Sequence, residues 1–249
     1  MSRSLIEKTF GVLEVLTERD HPQGLKNLAE ATSLPKSTLH RILQILVELG
    51  YVEQQDTKGE YGLTPRLSRL GQGRRQEALK QRALPLMQSL HRRFAETVNL
   101  GVLQGRYVYY LHTIETDRPL RSIVSPGSRD AFHCTALGKA IAAFLPEHQL
   151  SALLHRADLE ARTERTVTSK RRLRDELERI RLDGVACDDE ENDAGVVCYG
   201  APLLAGGYPL AAVSVSVPKV RLSEEVAAKL VASLCEVAGE AERQFEALA

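Results

Sequence analysis

The sequence predicts an α+β protein in two parts. A small N-terminal domain has three helices closed by a β-hairpin, and a larger domain sets helices on a largely antiparallel sheet. Three observations predict this. Apolar residues recur at helical spacing as far as residue 50, then give way to two short extended runs around a polar turn. From Val98 the period changes to two, the mark of strands. Between them, residues 67–93 carry seven Lys and Arg against one Glu, a net of +6, in a chain of zero formal charge. The division expected from these is a first domain at 1–66, a linker helix at 67–80 and a second domain at 81–249.

The first helix is predicted from Ser4 to about Arg19, with Ile6, Phe10, Val12, Leu13 and Leu16 near helical spacing. Asp20-His21-Pro22-Gln23-Gly24 breaks it. A short helix follows from Leu25 to Ala31. Thr32-Ser33-Leu34-Pro35 ends that helix, and Pro35 opens the next, where its missing N–H costs nothing. The third helix has an apolar back (Leu39, Leu43, Leu46, Val47, Leu49) and a polar front (Lys36, Ser37, His40, Arg41, Gln44). Tyr51 to Leu63 reads as a hairpin turning at Asp56-Thr57-Lys58-Gly59.

Two short helices with a tight turn, the second polar in front and a hairpin behind, form a winged helix-turn-helix of the kind that reads duplex DNA. Arg41 and Gln44 have the reach and donor geometry for guanine and adenine edges. His40 suits either a base or a phosphate, and Lys36 a phosphate or guanine. Ser37, Thr38 and the free N–H groups at the helix start suit phosphate oxygens. Lys58, at the wing tip, is placed for the duplex backbone. An ordinary amphipathic helix pair in a bundle is the plainer reading of the polar face, but it does not explain the hairpin in this order.

Arg66 to Leu79 is expected to be helical, weakened at Gly71 and Gly73 by about 1 kcal/mol each. Its positive charge suits either a solvated face or long-range attraction to phosphates. A separate helix is expected from Gln81 to Thr97, with Leu84, Met87, Leu90 and Phe94 on one side. Val98 to His112 reads as a hairpin turning at Gln104-Gly105-Arg106, and Leu120 to Val124 as a third strand. Helices are expected at Thr135–Leu145, Pro146–Arg156 and Ser169–Leu182. Strands follow at Val185–Asp188, Val196–Leu204 and Leu210–Val217, and a last helix from Ser223 to about Leu248.

No apolar run is long enough to span a bilayer, and an acidic residue as early as Glu7 argues against a signal peptide. Cys134, Cys187, Cys198 and Cys235 are scattered, without metal-ligand spacing, and read as reduced thiols of a cytoplasmic protein. No metal or other cofactor is expected.

Four segments resemble the IclR family of transcription regulators: the helix-turn-helix from Leu25 to Tyr51; His133-Cys134-Thr135-Ala136-Leu137-Gly138-Lys139-Ala140; Asp188-Asp189-Glu190-Glu191-Asn192 with Gly195-Val196-Val197-Cys198; and Ala212 to Pro218. The resemblance spans nearly the whole chain, in the expected order and spacing. It implies a GAF-like C-terminal effector domain that binds a small organic acid. It also implies homodimers paired through the N-terminal domains, often assembled into tetramers. The family's ligand pocket, carried over residue by residue, falls on Ala136 and Leu137, Asp188, Cys198, and Ser214 and Ser216. Phe132 departs from the smaller or aliphatic residue usual before the histidine, which bears on pocket size.

The residues themselves fit a carboxylate. A helix starting at Thr135 offers free N–H groups, and Ser214 and Ser216 share a sheet face opposite Val213, Val215 and Val217. Asp188 would accept a hydrogen bond from a ligand hydroxyl. Taken without the resemblance, each has a plainer reading: a solvated face for the serines, a solvated acidic loop for Asp188, a small core residue for Cys198.

Other classes compete. A thiol-dependent enzyme acting on a small acid or ester would use His133-Cys134, although neighbours in a chain rarely face each other as nucleophile and base. Zinc on His133, Cys134 and Cys198 lacks tetrahedral ligand spacing. A winged helix that binds protein instead of DNA would show no affinity for duplex.

Overall fold

The computed structural model describes residues 4–17, 22–55 and 59–245. The chain divides into two compact units, residues 1–76 and 77–249.

In the first unit α1 (Leu5–Thr17), α2 (Leu25–Thr32) and α3 (Lys36–Glu48) stand with a three-stranded antiparallel sheet. Its strands are β1 (Gln23–Gly24), β2 (Val52–Gln55) and β3 (Glu60–Leu63), in the order β1-β3-β2. Register runs from Val52 opposite Leu63 to Gln55 opposite Glu60. The segment around Gln23, expected to be only a helix break, supplies a third strand by pairing with Tyr61 and Glu60. Val12, Leu16, Leu28, Leu39, Ile42, Leu43, Leu46, Val52 and Tyr61 form the core.

Two expectations change here. Ile6 and Phe10 are 69% and 61% exposed, because α1 turns Val12 and Leu16 inward. On α3, Ile42 is buried while Val47 and Leu49 are exposed, since the buried stripe follows Leu39, Ile42, Leu43 and Leu46. The turn between α2 and α3 is tight because Ser33 takes a left-handed conformation (φ 55°). Pro35 is then the residue just before α3.

One helix, α4 (Pro65–Phe94), runs where a linker and a second helix were expected. Neither Gly71, Gly73 nor Pro85 interrupts it. In the second unit its Leu79, Ala83, Leu86, Met87 and Leu90 are buried. Packing of that stripe outweighs the local propensity cost.

The second unit is built on a six-stranded antiparallel sheet of order β6-β5-β4-β9-β8-β7. The strands are β4 (Thr97–Gln104), β5 (Tyr107–Ile114), β6 (Arg129–Ala131), β7 (Ala186–Asp189), β8 (Val196–Ala205) and β9 (Tyr208–Pro218). Leu120–Val124 is not a strand; β6, on the sheet edge, is Arg129–Ala131. Leu120-Arg121-Ser122-Ile123-Val124 does not alternate, and five such residues are too weak a signal to separate a covering loop from an edge strand.

Helix α4 and the C-terminal α8 (Glu224–Phe245) supply one hydrophobic core, together with Val213, Val215 and Val217 of β9. The other core belongs to α5 (Ala136–Ala143), α6 (Glu147–Arg156) and α7 (Lys170–Asp183), with Ala212 from the opposite face of the same strand. Strand parity therefore puts Ser214 and Ser216 on the α5 side.

Candidate functional site

The first unit presents the polar front of α3. Lys36, Ser37, His40, Arg41 and Gln44 are exposed, and Thr38 is half-buried. The opposite stripe anchors the helix, so these side chains project outward as a row one turn apart. No side chain caps the start of α3, which leaves its first N–H groups to a ligand. The wing is tied to the end of α3: the Thr64 hydroxyl donates to the Gly50 carbonyl at 2.6 Å, and the Thr64 N–H to the Tyr51 carbonyl at 3.0 Å. Arg66 stacks over Tyr51 at 5.2 Å. Lys58 lies outside the described residues.

In the second unit a cavity forms where α5 begins. Ala136, Leu137, Asp188, Cys198, Ser214 and Ser216 all line it. They come from α5, β7, β8 and β9, and two glycines allow the approach. A Cβ on Gly200 would lie 3.1 Å from the Ala136 carbonyl carbon, and one on Gly101 would lie 3.0 Å from Leu137 Cδ1. The first turn of α5 thus lies directly on the sheet, and its Ala136 and Leu137 share a cavity lining with the serines. Thr135 Oγ1 accepts from the Gly138 N–H at 3.1 Å, and the Thr135 carbonyl from the Lys139 N–H at 3.0 Å. This capping takes up the N–H groups of Gly138 and Lys139 and not those of Ala136 and Leu137, the residues of this turn that line the cavity. Gly138 is obligatory: a Cβ there would lie 2.3 Å from the Phe132 carbonyl oxygen. Phe132 itself is a buried core residue that does not line the cavity.

Ser216 Oγ accepts from Asn99 Nδ2 and from the Cys198 thiol, both at 3.2 Å. Its own proton is thereby free to donate into the cavity. Asn99 is held in turn by the Thr113 hydroxyl, which donates to Asn99 Oδ1 at 3.0 Å. Asp188 is 3% exposed, and its Oδ1 accepts from the N–H groups of Glu191 (2.7 Å) and Asn192 (3.2 Å). Burial outweighs those donors and lifts the Asp188 carboxyl to about 7.

The turn carrying Glu191 is anchored by Lys139, whose side chain is 0% exposed. Lys139 Nζ pairs with Glu176 of α7 at 2.6 Å and with Glu191 at 2.5 Å. Burial opposes its charge, but the two carboxylates win and hold Lys139 protonated. Thr166 adds a 2.6 Å hydrogen bond to the Glu191 carbonyl.

Sequence reasoning missed Asn99, Tyr110, Thr135 and Asn192, which also line the cavity, as do Ser122 and Val124 from the 115–128 loop. Strand alternation makes the parity of Asn99 readable. The adjacency of β4 and β9, which brings it to Ser216, is readable only from the sheet order.

Thiol chemistry has no support in this geometry. Burial lifts Cys134 to about 12, Cys187 to about 11 and Cys198 well above its ordinary value, so all three are thiols at neutral pH. The His133 ring turns to the Glu160 carbonyl at 3.1 Å, and burial lowers its basicity. Among the described residues no three His, Cys, Asp or Glu side chains gather as a metal site. No described helix is long and apolar enough to cross a membrane.

Comparison with known proteins supplies the last observation. Residues 5–56 match the "IclR helix-turn-helix domain", and residues 75–243 match "Bacterial transcriptional regulator IclR C-terminal". The HTH-type transcriptional regulator KdgR of Escherichia coli is 33% identical over 235 residues, 94% of this chain and 89% of that protein. The HTH-type transcriptional regulator Rv1719 of Mycobacterium tuberculosis is 35% identical over 239 residues, 94% of this chain and 90% of that protein. The crystal structure of the Thermotoga maritima IclR aligns with a TM-score of 0.66 at 28% identity, covering 97% of this chain and 98% of the other.

Proposed function

The chain belongs to the IclR family of bacterial transcriptional regulators, and from that premise we propose that its operator affinity is set by a small organic acid held at the start of α5. The family consists of DNA-binding regulators with a helix-turn-helix and is not enzymatic. In our reading α3 enters the major groove, with Arg41 and Gln44 on base edges and Lys36, Ser37, Thr38 and His40 on phosphates or flanking bases. Lys58 is proposed at the duplex backbone. The proposed reading head is residues 1–66, the linker 67–80 and the effector domain 81–249.

One observation carries the effector reading. Six residues from four separate strands and helices line a single cavity, and its donors are the groups a carboxylate needs. The N–H groups of Ala136 and Leu137 and the hydroxyls of Ser214 and Ser216 meet the carboxylate. Asp188 and Cys198 take the remaining side. Near neutral pH Asp188 is balanced between forms: protonated it donates to an acid, ionised it accepts from a ligand hydroxyl. The cavity measures about 20 Å³, room for one water. A larger acid would enter by displacing the covering loop that carries Ser122 and Val124.

Pairing of two chains is proposed through the first unit, where α1 exposes Leu5, Ile6 and Phe10 together. A thermal-shift screen of the full chain with acetate, pyruvate, lactate and benzoate tests the effector reading. At least one acid should raise the melting temperature of the wild type and fail to raise that of Ser214→Ala/Ser216→Ala. An equal shift in both proteins would contradict this placement of the site.

A further inference from the structure

The opposite end of α5 borders a larger space of about 570 Å³. It is separate from the cavity at the helix start and shares none of its lining residues. Leu103, Ile141, Leu145, Leu153 and Leu210 give it an aliphatic lining. Its volume lies in the range of pockets that enclose whole organic ligands, about 300–1,000 Å³.

The rim is one-signed. Arg106 and Arg156 line the groove, and no Asp or Glu does so among the described residues. Neither arginine has a described carboxylate partner; Arg106 only stacks over Tyr107 at 5.5 Å. The nearest acid on α6, Glu147, is held instead by Arg174 at 2.8 Å and by the Ser151 hydroxyl at 2.7 Å. One wall is pinned across the groove, where the Tyr208 hydroxyl donates to Gln149 Oε1 at 3.2 Å. An aliphatic lining that includes two unpaired guanidinium groups matches a molecule with an apolar body and an anionic head.

We propose that this groove is a second ligand site, for an amphipathic carboxylate whose chain lies along the leucines and whose head meets Arg106 and Arg156. It is independent of the cavity at Ser214 and Ser216 and of any role given to that cavity.

Octanoate is the probe, titrated into the full chain by calorimetry, with octanol as its neutral counterpart. Octanoate should bind saturably and at least about tenfold more tightly than octanol, the scale of a charge-assisted hydrogen bond. Arg106→Gln/Arg156→Gln should weaken octanoate about tenfold and leave octanol unchanged. Ala152→Trp, at an exposed position of the lining, should fill the groove and abolish both. Ser214→Ala/Ser216→Ala should bind octanoate as the wild type does. The proposal is overturned if octanoate does not bind, binds Ala152→Trp undiminished, or loses affinity only in the serine double variant. It is equally overturned if sedimentation shows that Ala152→Trp breaks a wild-type oligomer, since the groove would then be a contact between two copies.

Discussion

At the scale of single residues, position 138, next in α5 to the cavity-lining Ala136 and Leu137, tolerates no side chain. A Cβ 2.3 Å from the Phe132 carbonyl oxygen cannot be relieved by a rotamer change, because the obstacle is backbone. Gly138→Ala should therefore cost about 3 kcal/mol or more in urea unfolding, or prevent folding. Lys139→Met should cost about 3–5 kcal/mol, since it strands Glu191 beside Glu176 without a cation; recovery in Lys139→Met/Glu191→Met would confirm that the stranded charge is the cause. Asp188 gives a pH signature. Its carboxyl titrates near 7 when folded and near 4 when unfolded, so between those values the folded chain holds a proton that the unfolded chain releases. Its contribution to stability is complete below pH 4 and is lost as pH rises through 7. Asp188→Asn, which keeps an oxygen for the Glu191 and Asn192 N–H groups, should flatten the fall in melting temperature over that window; an unchanged slope would contradict the assignment. The facing of Ser214 and Ser216 was legible because strand parity is local. The burial of Lys139 was not, because its partners lie 37 and 52 residues away.

At the scale of elements, α3 separates into a buried face that folds and an exposed polar face that is proposed to read. Ile42→Ala should cost about 2–5 kcal/mol as a buried cavity mutation, whereas Val47→Ala, at an exposed position, should change stability by less than about 0.5 kcal/mol. Arg41→Ala and Gln44→Ala should each cost about 1–3 kcal/mol on the preferred duplex and much less on random duplex at the same salt. Equal losses on both would remove base reading from these side chains. The helices were legible from period alone, except where period is ambiguous. On α3, Val47 and Leu49 continue the apolar run, yet they fall outside the stripe that Leu39, Ile42, Leu43 and Leu46 bury. On α4, two glycines were expected to weaken a linker helix and a separate helix was expected from Gln81, yet one helix runs through, because stability there comes from the apolar stripe and not from propensity. The two-residue strand β1 and three-residue strand β6 fall below the length at which alternation can be detected; both exist through their pairing with β3 and β5.

At the scale of the whole molecule, one reading helix spans too few base pairs for useful specificity, so two chains are expected on a site with two half-sites. These should be spaced about 34–36 Å apart or a multiple of that. A footprint over one half-site with a single bound chain would contradict the pairing. Effector and DNA must also affect one another reciprocally, by the same factor. The most direct test is to select duplexes from a random pool with the full chain. Affinity for the enriched duplex is then measured with and without the acid that gives the largest thermal shift, in the wild type and in Ser214→Ala/Ser216→Ala. A regulator with its effector site at the start of α5 should enrich a two-half-site sequence, change affinity with the acid in the wild type, and lose that change in the double variant. Failure to enrich any duplex, or an acid effect of the same size in both proteins, would contradict it.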